Sequence, residues 1–65
     1  MKILLAELME SRGLSYRQLE ILTSISKSTL HNIATGKRIL RMDTMEKLAE
    51  HLHVRIEDLY DSEYK

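Results

Sequence analysis

The stretch Ser15–Gly36, SYRQLEILTSISKSTLHNIATG, decides how this chain folds, because it reads as two short helices meeting at a sharp turn. Ser15 is a good N-cap, and Gln18, three residues on, completes a capping box: hydroxyl and amide each satisfy a free backbone amide at the helix start. A helix therefore begins at Tyr16. Leu19, Ile21 and Leu22 share its apolar side, and the run stops at Thr23-Ser24, residues that prefer caps and turns to helix interiors. Ser26 caps a second helix, in which Leu30, Ile33 and Ala34 fall on one inward face. The opposite side carries Ser28, Asn32 and Thr35, flanked by Lys27 and His31. All five are hydrogen-bonding residues and none is acidic. Gly36 ends this helix at C′, where the backbone needs positive φ.

Two short helices joined by a turn of three or four residues match the helix-turn-helix unit, whose second helix lies in the DNA major groove. The bland alternative is a helical hairpin whose polar face is merely solvated. Charge distribution shifts the balance between them. The chain is formally neutral, with ten basic and ten acidic residues, which taken alone argues against a nucleic-acid partner. The average hides a segregation. Residues 1–20 hold three of each sign, residues 21–42 hold Lys27, Lys37, Arg38 and Arg41 with no acid, and residues 43–65 hold three basic against seven acidic residues. The positive field thus coincides with the polar helix and the loop after it. Lysines near a helix C-terminus also complement its dipole, so a solvated basic loop is the competing account of those charges.

Composition bounds the remaining choices. Sixty-five residues make one domain, and at this size a single core gives only marginal stability, so several helices must share it. Cysteine is absent, which removes disulfides and thiolate metal sites; proline is absent too, there are two glycines, and helix formers dominate. An all-α bundle follows. No apolar run approaches the roughly 20 residues of a membrane span, and the apolar stretch before Glu7 is too short for a signal peptide, so the expected location is the cytoplasm.

Outward from the central stretch, Met1–Arg12 reads as a helix with Leu5, Leu8 and Met9 at helical spacing, closed by Gly13 with Leu14 packing back on Met9 or Leu8. After Gly36, the loop KRILRM alternates basic residues with Ile39, Leu40 and Met42, which are expected to tuck onto the bundle. Asp43 is expected to cap a fourth helix with Glu46 at N3, and Met45, Leu48, Ala49 and Leu52 turn inward. His53 stands where a terminating glycine or asparagine is commoner, Val54 points back to the core, and RIEDLY supplies a short fifth helix burying Ile56, Leu59 and Tyr60. The final DSEYK is expected to fray.

These features together resemble the XRE family, the Cro/repressor-type helix-turn-helix regulators of phages and bacteria. The likeness covers nearly all of the chain and is carried by RGLS at Arg12–Ser15, ISKSTLHNIATGK at Ile25–Lys37 and LAEHLHVRIEDLY near the end. It implies a compact, lambda-repressor-like five-helix bundle over residues 1–65. It also implies binding to a double-stranded DNA operator as a homodimer or on adjacent half-sites, with the third helix reading bases. Four departures stand out. Glu20 occupies the place of a small residue, often alanine, and Ser24 that of the turn glycine. Tyr16 stands where many relatives have a phosphate-contacting glutamine. Met9 and Ala34 replace an arginine and glutamate that form a buried ion pair in many relatives. Loss of both partners together is tolerable, because apolar replacement of a buried pair is often neutral or stabilising, and Met9 is expected to pack on or beside Ala34.

On this reading Lys27, Ser28 and Asn32 contact base edges. Asn32 takes adenine through N6 and N7, and Lys27 addresses guanine O6 and N7 or a phosphate. Backbone contacts come from Tyr16, Arg17, Ser26, His31, Thr35, Lys37, Arg38 and Arg41; for His31 the alternative is a solvated bystander. No cofactor motif is present. His51-x-His53 lacks a third metal ligand, and no motif orders Ser, His and Asp for catalysis, so neither a metal site nor an enzyme is expected. Tyr60 and Tyr64 beside the acidic C-terminus offer a dimer or partner surface, with a frayed tail as the alternative. The rival function is a protein-interaction role, in which the same fold acts as an antitoxin or anti-repressor toward a basic partner.

Overall fold

A computed structural model describes all 65 residues. In chain order it contains strand β1 (Lys2–Ile3), helices α1 (Leu5–Ser11), α2 (Tyr16–Thr23), α3 (Lys27–Ala34) and α4 (Met42–Leu52), a 3-10 turn (Ile56–Leu59) and strand β2 (Tyr60–Asp61). Ten side chains form one core: Leu5 and Met9 from α1, Leu19 from α2, Leu30 and Ile33 from α3, Met45, Leu48, Ala49 and Leu52 from α4, and Leu59. Every helix thus donates to a shared interior, the arrangement that so short a chain requires, and Ile3 and Tyr60 of the strands pack against it. No helix is long and apolar enough to cross a membrane.

Local signals set the helix ends. Ser15 Oγ accepts from the Gln18 amide while Gln18 Oε1 accepts from the Ser15 amide, at 3.1 and 2.7 Å, completing the capping box. Three helices stop by one device, in which the chain turns left-handed and two amides fold back onto the last turn. For α1 these are Gly13 to Glu10 and Leu14 to Met9; for α3, Gly36 to Ile33 and Lys37 to Asn32; for α4, His53 to Glu50 and Val54 to Ala49. The left-handed residues are Gly13 (φ 65°), Gly36 (φ 78°) and His53 (φ 55°). Met9 lies in the core, Ala34 packs against it, and α1 packs on α3, so both face the same interior.

The all-α expectation needs amendment at the chain ends. Four α-helices are present rather than five. Within RIEDLY, Ile56–Leu59 forms a short 3-10 helix rather than an α-helix, and Met1–Leu4 is not helical: Lys2–Ile3 pairs antiparallel with Tyr60–Asp61, Lys2 opposite Asp61 and Ile3 opposite Tyr60. The Leu4 amide adds a bond to the Leu59 carbonyl at 2.8 Å. Asp61, the first of the residues expected to fray, is therefore paired in a strand.

Three further expectations are corrected. Ile21 and Leu22 are largely exposed; α2 buries Leu19 and Thr23 instead, one turn apart, because an eight-residue helix presents only a narrow stripe to the core. In the basic loop only Leu40 packs on the core, while Ile39 is 90% and Met42 66% exposed. Asp43 lies inside the first turn of α4 and accepts from the Thr44 amide at 2.9 Å, whereas the extended Arg41 precedes the helix without a side-chain cap.

Two substitutions at left-handed positions should move stability in opposite directions. Ser24 (φ 61°) takes a conformation that costs a side-chain-bearing residue about 1–2 kcal/mol, so Ser24→Gly should raise the melting temperature by several degrees. Gly36 has open space where a Cβ would go, so Gly36→Ala should lower stability by about 1 kcal/mol through backbone strain alone. Thermal unfolding followed by circular dichroism reads both.

Candidate nucleic-acid interface

The turn between α2 and α3 is fixed from inside. Thr23 is buried, with its hydroxyl donating to the Leu19 carbonyl at 2.7 Å and accepting from the Ile25 amide at 3.2 Å. One side chain thereby closes α2 and dictates the path of Ser24 and Ile25. Ser26 then opens α3: Oγ accepts from the Thr29 amide at 3.2 Å and its hydroxyl donates to Thr29 Oγ1 at 2.8 Å. Leu30 and Ile33 anchor the inward side of α3 in the core.

The outward side forms a concavity of about 450 Å³ lined by Tyr16, Glu20, Ser26, Lys27, Ser28, His31 and Asn32. The three residues assigned to base contacts are therefore gathered on one surface: Lys27 and Ser28 exposed, Asn32 half-buried. No buried side-chain polar atom in the chain lacks a partner, so the unpaired side-chain amide of Asn32 is open to solvent. The His31 ring stands edge-on to Tyr16, with centroids 5.6 Å apart and planes at 73°, which braces the rim where α2 meets α3.

The remaining basic and hydroxyl residues sit elsewhere. Arg17 is exposed on the first turn of α2. Thr35 turns its hydroxyl back onto the His31 carbonyl at 2.9 Å, leaving its oxygen as an acceptor rather than a free donor. Lys37 and Arg38 line a separate depression with Met1, Ile3 and Leu40, and Arg41 pairs with Asp43 at 3.3 Å on an exposed surface. No group of three metal-ligating side chains converges, and none of residues 43–65 lines the α3 concavity.

Sequence reasoning missed Glu20. Its carboxylate oxygen Oε2 accepts from the Lys27 amide at 3.0 Å, joining α2 to the first residue of α3 within the concavity. The signal was available: Glu20 lies one turn after Tyr16, on the same stripe of α2.

A short polar-faced helix, capped at both ends and held outward across its predecessor by a pinned turn, defines a helix-turn-helix DNA-binding domain. A family model described as the Cro/C1-type HTH DNA-binding domain matches residues 5–64, and the chain belongs to this family. No curated protein matches it.

Thr23→Val keeps the volume but removes the acceptor for the Ile25 amide. It should cost about 1–3 kcal/mol and broaden the amide resonances of Ser24–Lys27 selectively, as read by chemical denaturation and NMR.

Proposed function

We propose that this domain is a sequence-specific double-stranded DNA-binding transcriptional regulator of the repressor type, acting as a homodimer on paired half-sites with α3 in the major groove. The gathering of Lys27, Ser28 and Asn32 on one outward concavity carries this reading. Asn32 presents a donor and an acceptor together, the pattern of adenine N6 and N7, and Lys27 offers a donor to guanine O6 and N7. Tyr16, Arg17, Ser26, His31 and Thr35 flank this surface, and Lys37, Arg38 and Arg41 follow it in the loop. Arg17, Lys37, Arg38 and Arg41, with Tyr16 and His31, supply phosphate contacts that set register without reading sequence, whereas the Ser26 and Thr35 hydroxyls, expected from the sequence to do the same, already donate within the chain. A formally neutral domain that neutralises about four to six phosphates binds weakly alone and loses affinity steeply with salt, which favours the dimer.

The excess of four negative charges in residues 43–65, none of which lines the concavity, supports a second role toward a basic protein partner, as in an antitoxin. The two roles use different surfaces and are separable by mutation.

Selection of bound duplexes from a randomised library at moderate salt tests the reading. Wild type should enrich one motif, and Asn32→Ala should flatten a single adenine position by about 1–3 kcal/mol of discrimination. Lys37→Ala and Arg38→Ala should instead weaken all duplexes alike, each reducing the slope of log affinity against log salt by about 0.9. Absence of any enriched motif with wild type would overturn the regulator reading and leave the protein-partner role.

A further inference from the structure

We infer that Glu20 is a specificity-determining residue of the α3 surface, reading the N4 amine of a cytosine whose paired guanine is addressed by Lys27. This rests on the DNA-reading role proposed above. The first turn of a helix presents free amides and a positive dipole end, which ordinarily favour a phosphate. Here that end is already filled. Glu20 Oε2 takes the Lys27 amide at 3.0 Å and Ser26 Oγ takes the Thr29 amide at 3.2 Å, leaving the Ser28 amide as the free donor of the first turn. A negative side chain at this end repels an approaching phosphate, so the N-terminus of α3 is not built to rest on the DNA backbone.

The same carboxylate has a second acceptor to spend. Oε1 makes no hydrogen bond within the chain, and since no buried polar side-chain atom is unpartnered, Oε1 is open to solvent in the concavity. An acceptor-only group pairs with an exocyclic amine and is repelled by guanine O6, guanine N7 and thymine O4. Adenine N6 also carries a donor, but adenine is read best by an amide, which Asn32 supplies one turn further along. Cytosine N4 is the donor matched to a carboxylate. Lys27 makes no ion pair with Glu20, so its ammonium stays free in the concavity that both residues line. A donor and an acceptor on one concavity match a single G·C pair, which offers guanine acceptors next to the cytosine amine in the major groove. The pairing also fixes the orientation, since the reversed pair would place amine against ammonium.

The test compares wild type, Glu20→Gln and Asn32→Ala in duplex selection. Glutamine keeps the shape and an acceptor for the Lys27 amide, and matched thermal melts establish that the variant is folded. Wild type should show a cytosine position that Glu20→Gln relaxes about tenfold while the adenine position assigned to Asn32 persists; Asn32→Ala should do the reverse. Glu20→Gln should also bind random-sequence duplex severalfold more tightly, because a charge opposing phosphate is gone. On the wild-type protein, methylating N4 of that cytosine in a fixed duplex should weaken binding about tenfold, and should do so far less for Glu20→Gln. Identical motifs for wild type and Glu20→Gln, with the adenine position intact, would overturn the assignment and leave Glu20 as a helix-joining residue, with DNA reading unharmed. Loss of every position in the wild type would instead overturn the DNA-reading role, and this assignment with it.

Discussion

The Thr23 hydroxyl is the interaction on which the rest of this structure depends. An α2–α3 turn of three residues must reverse the chain without glycine or proline, and Ser24 pays for the bend with a left-handed backbone. A single buried hydroxyl makes that geometry the only satisfied one, because it serves the last turn of α2 as donor and the Ile25 amide as acceptor. Burial matters here. In a water-excluded site, an unmade hydrogen bond costs more than a made one contributes, so the turn is held by the penalty of leaving it. The angle of α3, and with it the direction of Ser28 and Asn32, follows from this constraint.

Away from the turn, the chain compensates for its size by closing on itself. The paired strands join its two ends, the Leu4 amide reaches the Leu59 carbonyl, and the Arg12 guanidinium donates to the Leu52 carbonyl at the end of α4. The Leu4 bond satisfies a backbone amide at the start of α1, where no side-chain cap is present, and the Arg12 bond satisfies a carbonyl at the C-terminal end of α4. Long-range contacts thus finish elements that local sequence leaves open. They also place Leu59 in the core.

This division explains what the sequence disclosed. Features governed by a few neighbouring residues were legible: the capping box at Ser15 and Gln18, the cap at Ser26, the glycine stops at Gly13 and Gly36, and the inward stripe of α4. The outward placement of Lys27, Ser28 and Asn32 was legible too, because a helix anchored by Leu30 and Ile33 has one free side. Features set by distant partners were not. Nothing near Lys2 signals that Tyr60 will lie beside it, so the first residues read as helix. Apolar residues were overcounted for the same reason. Ile21, Leu22, Ile39 and Met42 have the chemistry of a core, but ten side chains already fill it, and a short α2 has no second face to bury. Glu20 stood out only as a departure from a small residue, and its role was not legible because its partner is the Lys27 amide, seven residues on and across the turn.

Zero net charge misleads for a related reason. At physiological salt, charges interact appreciably over about 8–10 Å, while the molecule extends 32 Å along its longest axis. A docking duplex therefore responds to the charges lining the contact and hardly to the sum. By that measure the seven acidic residues of the C-terminal third weigh little at the α3 surface, because none of them lines it. Glu20 weighs much more than its single charge suggests, being the only acid in the concavity and fixed against a helix end. One carboxylate there makes phosphate a poor partner and an amine a good one. The positive charge near this surface is carried instead by Arg17, Lys27 and the loop residues Lys37, Arg38 and Arg41, all of them exposed.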